Sequence, residues 1–330
     1  GQERKRLPLG IMFSYRHAYH AGNHADVLKH ITLIALLNYL TTKDKALACI
    51  DTHAGLGVYE LSSKQAQTSG EAQDGIWRLQ TWAAGQPAAS LAPAITAYLD
   101  LIQGFDARGK TYPGSPFIMH KLLRMGRPAT EADVQDRLHL YELNPRDARL
   151  LQANVDLLPN NYPVSVSDSN GFAALKSLLP PPARRALVHI DPSYEMKTDY
   201  AEVARSLEDA LKRFATGCYA IWYPIVGRAE AHELPKRLKK IAATAGRTWL
   251  HATLNVGSEE NQGPQIKTER TATGRYIARA VNEAPGLRES GVFIVNPPFT
   301  LAPQLQVAMP QLQAALGQGP SAGFLLEASA

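Results

Sequence analysis

The sequence predicts an α/β fold built on a mostly parallel, doubly wound sheet of seven strands whose last strand runs antiparallel. Three observations predict it. Short β-rich apolar runs alternate with longer segments whose apolar residues recur at helical spacing, the pattern of crossover βα units. Several of the short runs stop abruptly at an acid or a glycine turn, where such sheets bind ligands. The last two runs are separated only by a Gly/Glu/Thr-rich stretch, 256–289, which points to an antiparallel end to the sheet and a mobile loop.

Taken in order, Val27, Leu28, Ile31, Leu33, Ile34, Leu37 and Leu40 mark a helix over 25–42. Ala46–Asp51 reads as a buried first strand running into Thr52-His53-Ala54-Gly55-Leu56-Gly57. Residues 58–110 carry helices near 74–84 and 93–105 joined by Gly, Pro and Ala turns, and are expected to form a helical insertion. A helix over 115–125 follows the turn Tyr112-Pro113-Gly114. Leu138–Leu143 is the second strand, with Glu142 near its end, and Pro145 suits the first turn of the next helix. Pro163–Val166 is the third strand, followed by Asp168-Ser169-Asn170-Gly171. Leu187–Asp191 is the fourth. Helix 199–214, strand 218–223, helix 228–245, strand 248–255, strand 291–296 and helix 300–317 complete the alternation.

A 330-residue chain with 45% hydrophobic and 20% charged residues is globular rather than disordered. The expected organisation is a flexible N-terminal extension over 1–12, a cofactor-binding motif and first strand over 13–57, the insertion over 58–110, and the remainder of the domain over 111–330. A net charge of +5 is compatible with a polyanionic partner. Cys49 and Cys218 sit in apolar strand-like runs and are expected to be buried free thiols. No 18-residue apolar run and no signal-peptide pattern stands out, so a cytoplasmic protein without membrane contact is expected.

The most informative stretch is Leu187-Val188-His189-Ile190-Asp191-Pro192-Ser193-Tyr194. A strand delivers Asp191 to the ligand-binding rim, Pro192 fixes the backbone so that neighbouring carbonyls can face an amine, and Tyr194 offers a flat face to a base. This suits methylation of an exocyclic amino group on a nucleobase. It is one letter from the [D/N/S]-P-P-[Y/F/W] signature of amino-directed methyltransferases, with Ser193 in place of the second proline. A rival, Asn296-Pro297-Pro298-Phe299, matches the signature better but comes last in the chain, and is read as the final strand meeting a turn. The loop D-x-x-x-G-x-G at Asp51, Gly55 and Gly57 lets backbone approach a ligand. It lacks the third glycine of a dinucleotide fingerprint and fits S-adenosylmethionine better than NAD. Glu142 ends the second strand, where an acid accepts ribose hydroxyls; a capping carboxylate is the other reading. Asp168–Gly171 stands where the adenine of such a cofactor is commonly held, and also reads as a helix N-cap. His20 and His24 have helical metal-ligand spacing, but Gly22-Asn23 interrupts the helix and no acid or cysteine completes a set. Interleaved aromatic and basic residues there suit nucleic acid or a nucleotide.

Together these motifs resemble one family, the bacterial 23S rRNA (adenine(2030)-N6)-methyltransferases, earlier described as proteins for use of external DNA as a nutrient. The resemblance rests on S-Y-R-H-A-Y-H-A-G-N-H-A-D-V-L-K-H (14–30), D-T-H-A-G-L-G (51–57), Y-P-G-S-P (112–116), D-P-S-Y-E-M-K-T-D-Y (191–200) and R-F-A-T-G-C-Y-A-I-W-Y-P (213–224), and spans about 12–315. It implies a Rossmann-like methyltransferase fold with a small helical insertion, S-adenosylmethionine as cofactor, no metal, and 23S rRNA as partner. It implies that Lys29, His30, His53, Ser115 and Glu142 line the cofactor site, with Asp191 catalytic and Tyr15 near the target base. The family's acid before Gly-Phe is Asn170 here, beside Gly171; its side-chain oxygen could still accept from an adenine amine. The activity expected is methyl transfer to the 6-amino group of an adenine, by a monomer. DNA adenine methylation and non-catalytic binding of nucleic acid are the alternatives.

Overall fold

The computed structural model describes residues 20–61, 71–125, 135–159, 163–258, 265–270, 276–281 and 286–330. The expected extension over 1–12, and Tyr15, lie outside the described residues. An eight-stranded sheet forms the centre, in the order β12-β8-β11-β7-β6-β1-β4-β5. Its strands are β1 (Ala48–Asp51), β4 (Arg137–Tyr141), β5 (Val164–Ser167), β6 (Ala186–Ile190), β7 (Cys218–Ile225), β8 (Trp249–Asn255), β11 (Glu289–Val295) and β12 (Gly323–Ala328). β5, β4, β1, β6 and β7 pair in parallel, and β11 lies antiparallel between β7 and β8. The antiparallel strand expected from 291–296 is therefore present.

The sheet has one strand more than the seven expected. β12 pairs antiparallel along β8 at the sheet's edge. Its Gly-Phe-Leu-Leu-Glu-Ala lacks a clean alternation, because an edge strand with both faces partly exposed selects none. A second difference falls in 256–289, expected as a loop: β9 (Gln265–Arg270) and β10 (Tyr276–Val281) form an antiparallel pair there. A third is a short pair, β2 (Val58–Glu60) with β3 (Thr111–Pro113), too brief to show a period.

Two apolar layers flank the sheet. Strand alternation separates them: Cys49 and Leu187 join one core, and Ala48, Ile50, Val188 and Ile190 the other. The first core contains α1 (His24–Leu40), α2 (Ile76–Ala84), α3 (Pro93–Phe105), α4 (Ser115–Met125), α5 (Pro145–Asp156) and α9 (Leu301–Leu316). The second is covered by α6 (Gly171–Leu178), α7 (Lys197–Arg213) and α8 (Ala229–Thr244). α1 is apolar nearly all round and correspondingly buried, packed among α3, α4, α9 and β11. Each fully buried leucine on it, such as Leu28 or Leu36, contributes about 1.5–3 kcal/mol of apolar burial. Cys49 and Cys218 are buried free thiols. No helix among the described residues is long and apolar enough to cross a membrane.

From β1 the chain builds outward through β4 and β5, then returns to place β6 and β7 on the other side of β1. The strand order thus reverses between β1 and β6, which opens a crevice at their C-terminal ends. α1, inserted before β1, brings its polar first turns to the same place.

Candidate active site

The loops after β5, β4, β1 and β6 stand side by side in sheet order and bring Asn170, Glu142, His53 and Asp191 to one rim. The loop after β1 is shaped by two glycines, Gly55 with φ +65° and Gly57 with φ +79°. A side chain at Gly57 would collide with the Phe117 ring, 2.5 Å from an added Cβ. Gly55 N–H donates to Glu142 Oε2 at 3.0 Å, and Asn144 N–H donates to Oε1 at 3.0 Å. Glu142 therefore ties the glycine loop to the end of β4, and both readings of it, capping group and ligand acceptor, remain compatible with its four lone-pair sites.

Asn170 is the N-cap of α6. Its Oδ1 accepts from the N–H groups of Phe172 at 2.9 Å and Ala173 at 3.2 Å. The expectation that this oxygen accepts from an adenine amine is corrected: both its lone pairs are occupied, and the side chain has its amide N–H groups to offer instead. Gly171 is dictated by packing. An added Cβ would sit 2.1 Å from the Thr52 carbonyl oxygen, so only glycine lets α6 start against the end of β1.

Asp191 leaves β6 beside α1. Lys29 Nζ donates to its Oδ2 at 2.5 Å and reaches Asp26 Oδ1 at 3.1 Å. The ammonium also lies 4.9 Å from the centre of the Trp222 ring. Burial opposes the Lys29 charge, but the Asp191 and Asp26 carboxylates overcome it and hold the group well above the usual lysine range. Among the described residues none donates a hydrogen bond to Asp191 Oδ1. Asp26 is positioned by the start of α1: Gly22 N–H donates to its Oδ2, while Asn23 Oδ1 caps Asp26 N–H.

Beneath this layer Asp51 is fully buried. Ser115 Oγ donates to its Oδ2 at 2.6 Å, and His189 Nδ1 stands 3.4 Å from Oδ1. Burial pushes this carboxyl up, yet the His189 and Ser115 contacts prevail and hold it below the ordinary value. His30 is buried as well; its Nδ1 lies 2.7 Å from Tyr112 Oη, which continues at 2.8 Å to Tyr98 Oη. Burial pulls His30 down to about 3, so the ring is neutral. His53, also lowered by burial, sits edge-on to Phe172 with Nδ1 2.8 Å from Thr52 Oγ1. Asp51, Ser115 and His30 thus form a foundation under the rim, while Asp191, Glu142 and Asn170 stand at it.

Tyr194 is a correction. It was expected to offer its face to a base, but it is 3% exposed. Its ring packs on Tyr200 and against the edge of Trp222, and its hydroxyl donates to the Trp222 carbonyl at 2.6 Å. The cause is backbone: Tyr194 has φ +56°, which turns the side chain inward after Pro192-Ser193. Arg228 Nη1 reaches the carbonyl oxygens of Tyr194 and Glu195, both at 3.3 Å. The rival motif lies at the opposite rim, beside the starts of β7 and β8, because β11 is antiparallel to both. Asn296 Oδ1 accepts from Arg247 Nε at 2.7 Å, and its amide donates to the Ala215 and Gly217 carbonyls, so it secures a turn. His20 contacts Glu71 and His24 the Leu287 carbonyl, and among the described residues no group of three His, Cys, Asp or Glu could hold a metal ion.

Residues 44–267 match the family described as "Ribosomal RNA large subunit methyltransferase D, RlmJ". The chain belongs to this family. The "Ribosomal RNA large subunit methyltransferase J" of Haemophilus influenzae is 39% identical over 91% of this chain and 93% of its own length. That of Escherichia coli is 37% identical over 92% and 94%. A crystal structure of a Legionella pneumophila protein superposes with a TM-score of 0.73 at 31% identity, over 93% of this chain and 98% of that one.

Four residues at this crevice escaped the sequence reading. Asp26 was within reach of it, lying three positions before Lys29 on one helix face. His189 alternates with Asp191 along β6 and so shares its side of the strand. Trp222 and Arg228 act through contacts with the turn after β6 that no local pattern announces.

Proposed function

We propose that this chain uses S-adenosylmethionine to methylate the exocyclic 6-amino group of an adenine in 23S rRNA, acting in the cytoplasm. The observation that carries the reading is Asp191 at the switch-point crevice, with one carboxylate oxygen held by Lys29 and the other receiving no hydrogen bond from the described residues. The residues around the crevice fit the cofactor. Glu142 places a carboxylate at the end of β4 where ribose hydroxyls would lie, the Asn170 amide can donate to a ring nitrogen of adenine, and the turn at Gly55 and Gly57 admits close backbone approach. When bound, S-adenosylmethionine supplies an electrophilic methyl group.

The remaining task belongs to the chain. An aromatic amine is a poor nucleophile because its lone pair is delocalised into the ring. Asp191 Oδ1 and the Pro192 carbonyl accept its two protons in hydrogen bonds, which favours a pyramidal nitrogen and localises the lone pair. Lys29 fixes the carboxylate's orientation, so catalysis rests on positioning and electrostatics. The base leaves its stack to reach the rim. Tyr194 supports the turn from beneath, and stacking falls to other groups, Tyr15 among those expected. Isothermal calorimetry with S-adenosylhomocysteine, followed by methyl transfer to unmodified 23S rRNA and mass-spectrometric mapping, tests the reading. Binding of the cofactor product with N6-methyladenine formed in rRNA supports it. Methylation of DNA alone, or binding of NAD in place of the cofactor product, refutes it.

A further inference from the structure

β11 runs antiparallel to β7 and β8, so its end at Val295 meets their starts, level with Tyr219 and Trp249. The turn that follows, Asn296-Pro297-Pro298-Phe299, therefore lies at the rim where β1, β6, β7 and β8 begin. Along β6 that rim is roughly 16 Å from Asp191, at ~3.3 Å per residue. The turn is closely held. Asn296 has φ +57°, its N–H donates to the Thr248 carbonyl at 2.9 Å, and the Pro298 carbonyl accepts from Leu301 N–H at 3.0 Å. Its side chain is fixed by Arg247 and by the Ala215 and Gly217 carbonyls.

What this rigid turn presents is an open aromatic ring. Phe299 is 79% exposed, the most exposed large apolar side chain among the described residues. Tyr39, in the last turn of α1, meets it edge-on with ring centroids 5.5 Å apart. At this exposure the ring adds little to the core, and packing gives no reason for an aromatic residue here.

Cations flank the ring on both sides. Towards β8, Arg247 Nε donates to Asn296 Oδ1 at 2.7 Å. Towards β6 and β1, Arg185 Nη2 donates at 2.6 Å to the carbonyl of Leu40, the residue after Tyr39, and Nη1 donates at 2.7 Å to the Lys45 carbonyl. The loops described at this rim, 41–47, 179–185, 214–217, 245–248 and 296–300, carry Lys43, Lys45, Arg184, Arg185 and Arg247 against the single acid Asp44. Lys43, Lys45 and Arg184 are exposed. Acids just outside these loops are engaged: Asp136 is buried and accepts from Leu47 N–H, and Glu208 and Asp209 pair with Lys212 and Arg213. From Lys45 before β1 to Arg247 before β8 the row crosses four strand spacings, roughly 19 Å at ~4.8 Å each.

An open ring within a row of cations suits single-stranded nucleic acid, the charges tracking phosphates while the ring stacks on a base. An apolar protein surface would cover Phe299 but would also have to desolvate these cations, so a polyanion is the better match. We propose that this rim is a second RNA-binding surface, which takes a single-stranded segment of the rRNA substrate remote from the target adenine, with Phe299 stacked on an unpaired base. The proposal rests on RNA being the substrate. Asp191 lies at the other rim, so this surface adds affinity without touching the chemistry.

The test measures binding of the whole chain to protein-free 23S rRNA, with a short stem-loop carrying the target adenine as the comparison ligand. Phe299→Ala should weaken binding to 23S rRNA roughly 5- to 150-fold, the worth of one stacked base, and Phe299→Trp should retain it. Lys43→Gln/Arg184→Gln, at two exposed positions, should reduce the slope of log affinity against log salt by about 2 over about 50–200 mM KCl. In these variants kcat, S-adenosylhomocysteine affinity and affinity for the stem-loop should stay as in the unaltered protein. Unchanged 23S rRNA affinity in Phe299→Ala, or an unchanged slope in the double variant, overturns the surface and leaves the catalytic reading intact. Equal weakening on the stem-loop overturns the separation of this surface from the target site. A loss seen only with protein-containing ribosomal particles overturns it in favour of a protein partner. Failure of the unaltered protein to bind either RNA overturns both the surface and the substrate reading.

Discussion

Lys29 Nζ bridges Asp26 and Asp191, 3.1 Å from one carboxylate and 2.5 Å from the other, with side chains only 13–17% exposed. One cation thus separates two carboxylates that would otherwise meet in a partly desolvated crevice. Removing it leaves both without that partner. Breaking such a buried pair costs about 3–5 kcal/mol at full burial, and the residual exposure here places the expected loss toward the lower end. Lys29→Met should lower the urea midpoint accordingly, and Lys29→Met/Asp191→Asn should recover part of the loss. No recovery in the double variant would mean that the pair is not what stabilises this corner.

Asp191→Asn keeps the shape of the side chain and removes the charged acceptor. Loss of one preorganised group aimed at the transition state typically costs about 10²–10³ in rate. We expect kcat to fall by that order while S-adenosylhomocysteine still binds within a few-fold of normal. Asn296→Ala, at the opposite rim of the sheet, should leave kcat unchanged. Full activity in Asp191→Asn would remove this residue from the chemistry.

Tyr194 acts on the turn rather than on a base. Tyr194→Phe deletes the hydroxyl that donates to the Trp222 carbonyl and should cost about 1 kcal/mol of stability for the lost hydrogen bond. The ring stays, so a stacking role would leave kcat and KM for RNA unaltered and spare stability as well. A drop in melting temperature with kcat lowered more than KM is raised is the expected pattern. An unchanged melting temperature would contradict the anchoring role.

The layered architecture was legible because period-2 and period-3.6 patterns survive wherever one face is buried and the other is not. At the rim, Asp51, Glu142 and Asp191 stand out because each closes an apolar run, although Asp51 and Glu142 also hold neighbouring elements through Ser115, His189 and Gly55. What the chain conceals is convergence. Lys29 and Asp191 are 162 residues apart, and nothing local to either predicts their ion pair. Tyr194 looked available for stacking because its inward turn depends on one backbone angle and on a carbonyl from β7. Gly171 looked like part of a ligand loop, while its cause is the Thr52 backbone pressed against it. β12 was missed for the same reason that edge strands are generally faint, the absence of a buried face to impose alternation.

Asn170 joins helix capping to ligand recognition. Asn170→Ala removes the acceptor for two α6 N–H groups and should cost about 1 kcal/mol. Asn170→Asp keeps the cap and places a carboxylate where the helix dipole favours it, so stability should hold or rise slightly. It also removes the amide donor, and affinity for S-adenosylhomocysteine should therefore fall in Asn170→Asp although the fold does not suffer. Equal cofactor affinity in the unaltered protein and in Asn170→Asp would show that the amide makes no ligand contact.

His30 gives the protein a specific sensitivity to acid. Its imidazole is held at about 3 by burial between α1 and Tyr112, whereas in the unfolded chain it titrates near ~6.5. Between these values the unfolded chain binds a proton that the folded chain refuses. The stabilisation from keeping His30 neutral is therefore complete above about pH 6.5 and drains away as pH falls toward 3. From pH 7 to 5 the loss is about 2 kcal/mol, at ~1.4 kcal/mol per pH unit below the unfolded value. His24 and His53, also lowered by burial, add losses of the same sign, while His20, raised chiefly by its bond to Glu71, opposes them. His30→Gln retains a side-chain partner for Tyr112 and cannot titrate. Denaturant unfolding at pH 7 and 5 should show the variant losing about 2 kcal/mol less than the unaltered protein. Equal losses in the two proteins would mean that His30 takes up its proton without unfolding anything, and that the chain through Tyr112 and Tyr98 tolerates a charge.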